Sequence, residues 1–122
     1  MKKSKDFSHV IFSAMSKRNF FLREHIIKFI LEKGHTPSSA FMMYSYFLLD
    51  TVNRRALIKA NNELIRRSDE LWVFGHISDG VAKEIKLAKK LKLPIKYFTT
   101  CESPKCNFRQ IPTSQAQKEN YY

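Results

Sequence analysis

The sequence predicts an α/β fold, a three-layer sandwich in which helices cover both faces of a small, mainly parallel sheet of four to five strands. Three observations predict it. Apolar runs of strand length alternate along the chain with longer stretches of helical spacing. Two of those runs, Val10-Ile11-Phe12 and Leu71-Trp72-Val73-Phe74, have no polar alternation, as expected of strands buried on both faces. The 122 residues include only 3 Gly and 4 Pro, too few for an all-β chain built on tight turns.

The elements follow in order. Val10-Ile11-Phe12 leaves a charged head and passes into Ser13-Ala14, so a first strand feeds a loop over 13–19. Residues 17–33 have helical spacing, with Phe21, Leu22, Ile26, Phe29 and Ile30 set against Arg23, Glu24, Lys28 and Glu32, and Gly34 closes the helix. His35-Thr36-Pro37-Ser38 reads as a short second strand and its exit. Residues 39–49 carry Phe41, Met42, Met43, Tyr44, Tyr46 and Phe47, either as a helix or as a long loop over a pocket. Asp50-Thr51 offers an N-cap to a helix over 52–67, with Ala56, Leu57, Ala60 and Leu64 as its apolar stripe. Residues 70–74 form the central strand, ended by Gly75. Ser78-Asp79-Gly80 opens a helix to 91 that turns Val81, Ile85, Ala88 and Leu91 inward and Lys83, Lys86 and Lys90 to water. Residues 93–98 give a fourth strand. This order implies a Rossmann- or flavodoxin-like sandwich over 1–100, with 101–122 as a polar C-terminal tail.

Composition narrows the function classes. An apolar content of 43% excludes a disordered chain, and no apolar run reaches the roughly 18 residues of a membrane span. The basic start leads into no signal-peptide core, so a cytoplasmic location is expected. Lys plus Arg number 22 against 11 acids, a net +11, spread as +2 over 1–7, +8 over 8–99 and +1 over 100–122. Such a chain attracts polyanions and small phosphates. Solvated lysine-coated helices explain the charge more simply than a dedicated nucleic-acid surface, for which no zinc-finger, RNP-like or helix-turn-helix pattern is present. Cys101 and Cys106 lack two further ligands at metal spacing, so no metal site is expected.

Ligands of open parallel sheets bind beyond the carboxyl ends of the strands. Two loops qualify, 13–19 and 75–80. Ser78-Asp79-Gly80 can seat an anion on the helix N-terminus, or Ser78 or Asp79 can simply cap the helix. Glu84, beside the core residue Ile85, is either a carboxylate turned into a pocket, where it can serve as nucleophile or base, or a solvated residue among lysines. His76 lies in the second loop and is a ligand candidate; His9, His25 and His35 lie at element ends and are given no catalytic role. Trp72 and Phe74 read as core.

One further pattern carries a resemblance. Asp69-Glu70-Leu71-Trp72-Val73-Phe74-Gly75, followed by the S-x-G-x-x-x-E element from Ser78 through Gly80 to Glu84, resembles the nucleoside 2-deoxyribosyltransferase-like superfamily. With 10–19 and 94–98 included, the likeness covers about three-quarters of the chain. That superfamily also holds 2′-deoxynucleoside 5′-phosphate N-hydrolases. The resemblance implies that Glu84 is the nucleophile at the anomeric carbon and that Ser78 holds a 5′-phosphate. Ser13 and Ala14 match the sugar-phosphate loop, and Lys17 or Arg18 would lie near the phosphate. A position commonly held by an assisting aspartate is Asn61 here, which hydrogen-bonds but cannot act as an acid. The function expected is therefore cleavage or transfer at the N-glycosidic bond of a (deoxy)nucleoside 5′-phosphate, with no cofactor. A non-catalytic nucleotide-sensing module and a nucleic-acid-binding accessory protein are the alternatives. Superfamily relatives form oligomers, and the aromatic segment 41–47 is a candidate interface or a lid.

Overall fold

Strand length and alternation decide which side of the sheet each residue serves. A computed structural model of the chain describes residues 9–39, 46–100 and 108–118. Strand β1 (Val10–Met15) is buried almost throughout, as is β3 (Glu70–Phe74). Together with β2 (Thr36–Ser38), β4 (Ile95–Phe98) and β5 (Gln110–Ile111) they form one sheet of order β2-β1-β3-β4-β5. The first four strands are parallel and β5 is antiparallel to β4. The fold is thus the mixed α/β, mostly parallel sandwich expected from the sequence, with β5 added from residues 108–118. At its amino end the register of β1 on β3 is fixed by Asp69, whose Oδ2 accepts the Val10 N–H at 2.7 Å while its own N–H donates to Val10 O at 2.7 Å.

Successive strand residues point to opposite faces. Ile11, Met15, Trp72, Phe74 and Phe98 meet Ile26 and Ile30 of α1 (Arg23–Glu32) and Leu22 just before it. Phe29 centres an aromatic cluster there, its ring 5.4 Å from Phe98 and 5.3 Å from Phe108. Phe12, Ala14, Leu71, Val73 and Tyr97 face the other way, toward Ile65, Val81, Ile85 and Ala88. Ile65 belongs to α3 (Arg54–Arg66) and the last three to α4 (Asp79–Lys90); a short α2 (Tyr46–Thr51) precedes them.

Several boundaries differ from expectation, each for a local reason. The strand runs on through Ser13, Ala14 and Met15, so the first two are buried strand residues rather than loop. Residues Lys17–Leu22 wind as a 3₁₀-helix, capped by Ser16, before the α-helix begins. Its tighter repeat turns Phe20 and Leu22 inward and leaves Phe21 71% exposed. Asp50 and Thr51 lie within α2, where the Thr51 hydroxyl donates to Phe47 O at 2.6 Å; Asn53 caps α3 instead, its side chain accepting from Arg55 N at 2.8 Å. The buried residue of α3 is Ile65 rather than Leu64, with Ala56 exposed. Leu91 caps α4 and is 37% exposed. Residues 40–45 of the aromatic segment, and Cys101 and Cys106, lie outside the described residues.

Two glycines adopt left-handed backbone, and they differ in their surroundings. A Cβ on Gly34 (φ +83°) would meet nothing within 4 Å. On Gly75 (φ +82°) it would lie 2.6 Å from Asn19 Nδ2 and 2.7 Å from Thr100 Cγ2. Gly34→Ala is expected to cost about 1 kcal/mol from backbone strain alone. Gly75→Ala should cost about 2–4 kcal/mol, because steric overlap adds to strain. Urea denaturation of both variants reads the difference; equal losses would show that Asn19 and Thr100 give way freely.

Candidate active site

Helix α4 determines where the chemistry-bearing residues point. Ser78 has extended backbone (φ −81°, ψ 172°) and its Oγ accepts the Val81 N–H at 3.2 Å, so it is the N-cap. Its hydroxyl proton remains to be donated elsewhere, since the cap uses only an oxygen lone pair. Asp79 and Gly80 form the exposed first turn. The Asp79 carboxylate complements the helix dipole there and competes with any incoming anion. Gly80 is not required by packing, since a Cβ would find Ser78 Oγ at 3.9 Å and nothing closer.

Glu84 lies one and a half turns further on. Val81, Ile85 and Ala88 are buried against the sheet while Lys83, Lys86 and Lys90 are exposed. Glu84 falls on the flank between these faces, half-buried, and turns toward α3 rather than joining the lysines. There Asn61 donates from Nδ2 to Glu84 Oε2. Asn61 is four residues before Ile65, the residue that α3 buries, and so stands one turn along the same face. Burial pushes the Glu84 carboxyl up to about 7, and the Asn61 hydrogen bond offsets this only in part. Among the described residues no cation contributes to that balance.

The remaining candidates are spread around this pair. Ala14 is buried on the sheet face covered by α3 and α4, in one cluster with Val81 and Ile85. Ser13 faces the opposite side, its Oγ donating to Ser38 O at 3.4 Å and tying β1 to the end of β2. Lys17 and Arg18 are exposed at the start of the 3₁₀ turn that leaves β1. His76 lines a hollow of about 530 Å³ with Thr99, Thr100 and residues of the C-terminal segment, and neither Glu84 nor Asn61 borders it. Sequence reasoning passed over Asn19, packed against Gly75, and Ser38, whose buried Oγ has no partner among the described residues. Asn19 had only its place in the first loop as a signal, and Ser38 only its place at a strand end. Among the described residues no cluster of His, Cys, Asp and Glu can hold a metal, and no helix is long and apolar enough to cross a membrane.

Residues 10–98 match the model of a family described as a domain of unknown function, DUF7768. The chain belongs to that family. No curated protein matches it in sequence. Among solved structures, this DUF7768 chain is similar to the Clostridium botulinum CMP N-glycosidase BcmB, with a TM-score of 0.56 and 22% identity over 77% of this chain and 71% of that one. The likeness is one of fold. The strand–loop–helix unit that carries Ser78 and Glu84 falls within the matched span of the DUF7768 family.

The raised carboxyl has a consequence for stability. Its folded pKa, about 7, lies above the ordinary 4.5, so the folded state holds the extra proton between those values. Glu84 therefore favours folding most below pH 4.5, and that contribution is lost as pH rises through 7. Glu84→Gln should stabilise the protein by about 1–3 kcal/mol at pH 8 and change little at pH 5. Denaturant titrations at the two pH values measure this; a pH-independent difference would show that the carboxyl is not desolvated.

Proposed function

We propose that the protein cleaves, or transfers at, the N-glycosidic bond of a (deoxy)nucleoside 5′-phosphate, with Glu84 as nucleophile. The observation that carries this reading is the pairing of a desolvated glutamate with the Asn61 amide between two helices. The shared fold with a CMP N-glycosidase supports it, as does the likeness of the S-x-G-x-x-x-E element to nucleoside 2-deoxyribosyltransferase-like enzymes.

The chemistry runs in two displacements, as at retaining glycosidases. An ionised Glu84 oxygen attacks C1′ of the sugar. The C1′–N bond breaks, its electron pair goes to the base nitrogen, and the base takes a proton from solvent. Water then attacks C1′ of the glycosyl ester, the C1′–O bond to Glu84 breaks to free the carboxylate, and the water's second proton passes to solvent, yielding the sugar phosphate; an acceptor base attacking through nitrogen and losing its N–H proton to solvent gives transfer. Asn61 holds Oε2 and so orients the carboxyl, leaving Oε1 for attack. It donates a hydrogen bond but cannot deliver a proton as an acid. Ser78 and the Gly80 turn would seat the phosphate, with Lys17 and Arg18 supplying positive charge from the first loop and Ala14 backing the sugar end; Ser13, turned to the other face of the sheet, takes no part. The reaction as written asks for no cofactor.

Asn61 in place of an acid also favours a second reading, a module that binds a nucleotide without consuming it. Incubation with a panel of nucleosides and nucleoside 5′-phosphates, with chromatography for free base, decides between them. Base release is expected from a phosphorylated substrate, rising with pH through about 7 as Glu84 ionises. Glu84→Gln should lower the rate roughly a thousandfold or more. Thermal stabilisation by a nucleotide with no base released from any compound would leave the sensing reading and end the enzymatic one.

A further inference from the structure

We propose that the hollow at the carboxyl ends of β3 and β4 is a second ligand site, built by the C-terminal segment and suited to a small organic phosphate with a hydroxylated body. It lies beyond the carboxyl ends of β3 and β4, to one side of the β1/β3 point where the strand order reverses, and Glu84, Asn61 and Ser78 do not border it. Its volume of about 530 Å³ is in the range of small-molecule sites.

The C-terminal segment makes the wall: residues 110–118 form an arch pinned at one end to β4 and at the other to the loop between β3 and α4. At one end Thr99 N donates to Arg109 O at 2.9 Å, Arg109 N donates to Thr99 Oγ1 at 3.0 Å, and β5 pairs with β4. At the other, Ile77 N donates to Gln117 O at 2.8 Å, and Ile77 bridges Lys118. Between the pins runs the 3₁₀ turn Thr113–Gln115, which buries no residue. The arch is thus held by backbone bonds at its ends, with a space left beneath it. Below, the floor is fixed by Gly75 N donating to Phe98 O at 2.9 Å.

The lining carries one fixed cation and several groups that donate and accept: Arg109, His76, Thr99, Thr100, Gln115 and Gln117 border the space, and among the described residues no carboxylate does. Arg109 stays charged at every ordinary pH, and its planar fork matches phosphate oxygens in pairs. Being mounted where β5 meets β4, it loses little backbone freedom on binding. The hydroxyls of Thr99 and Thr100 and the amides of Gln115 and Gln117 both donate and accept, which suits sugar hydroxyls, while Phe98, Ile111 and Ala116 give the ring carbons an apolar wall. A ligand bridging Arg109 and Gln117 would cross-link the two pinned ends of the arch.

Ribose 5-phosphate, inorganic phosphate and ribose are the probes, read by calorimetry and by amide chemical shifts in the full chain. Ribose 5-phosphate should bind the wild type and Glu84→Gln alike, with shifts clustered at 75–77, 99–100 and 109–117, and ribose should not bind. Arg109→Gln should weaken it roughly tenfold or more, the loss of one charged hydrogen-bonding partner. Gln117→Glu, which leaves the backbone pin in place, should weaken it by like-charge repulsion and serves if Arg109→Gln does not fold. No binding, binding unchanged in both variants, or shifts centred on Asn61 and Glu84 would each overturn the proposal. Base release through Glu84 is scored separately, so either reading can fail without the other.

Discussion

A carboxyl group withdrawn from water must be given hydrogen-bond donors or take up a proton, and Glu84, held between two helices that apolar packing fixes on the sheet, meets that demand only in part. Among the described residues the donor supplied is the Asn61 amide, and it does not compensate for burial. Glu70 makes the contrast within the same molecule. Burial pushes its carboxyl up too, but Trp72 Nε1 donates to it at 3.2 Å, His9 Nδ1 lies at 3.3 Å and Lys96 Nζ at 3.4 Å. These together hold its pKa below the usual value. Glu84 is the more deeply desolvated of the two and has fewer partners, and both differences send the carboxyls in opposite directions. Glu70 sits at the amino end of β3, where it helps knit β1, β3 and β4. Glu84 sits on a crossover helix, between two layers of packing, as a group left responsive to pH.

How much of this was legible in the chain depends on the distance over which each residue is decided. The β3 run and the α4 stripe of Val81, Ile85 and Ala88 are local patterns, and both are found as expected. So is the capping serine, because an N-cap satisfies neighbours three residues away. The start of α3 was misplaced because Thr51 and Asn53 are equally good caps by type, and only the short α2, which uses the Thr51 hydroxyl internally, separates them. The expected stripe of α3 includes Leu64, which does pack against the core, but omits Ile65, the residue the helix buries fully; Asn61, one turn before Ile65, meets Glu84 of α4. Strand β5 carries only two residues, too few for an alternation to show, and Phe108 joins the aromatic cluster around Phe29 from a stretch whose sequence reads as polar tail. Neither could be seen without the partner strand.

The charge of the chain acts at a different range from the site. On α4 the exposed Lys83, Lys86 and Lys90 share the helix with Glu84, and on α3 Arg55, Lys59 and Arg66 are exposed, with Arg66 pairing to Glu63 at 2.7 Å. Yet none of these cations enters the balance that sets the Glu84 carboxyl. Water between exposed charges weakens their interaction, and the lysine stems lead their ammonium groups outward. The net +11 therefore works as a diffuse field that raises the local concentration of anions, not as a set of partners for the carboxylate. A neighbouring ammonium would have lowered the pKa of Glu84 and with it the basicity of its oxygens.

That separation bears on the proposed chemistry. With asparagine rather than an acid beside it, Glu84 receives a fixed hydrogen bond but shares no proton, so the pair has one titrating group instead of two coupled ones. The nucleophile must be ionised to attack C1′, and its strength grows with its basicity. A carboxyl near 7 at neutral pH is ionised about half the time and keeps a more basic oxygen than an exposed glutamate at 4.5. Deeper burial would leave too little of the ionised form, and a second donor or a nearby lysine would leave an oxygen of ordinary reactivity. The burden the site does not carry falls on the leaving base, which must accept its proton from solvent. Bases that are readily protonated, or that stabilise the departing electron pair on nitrogen, are accordingly the ones such a site would release fastest.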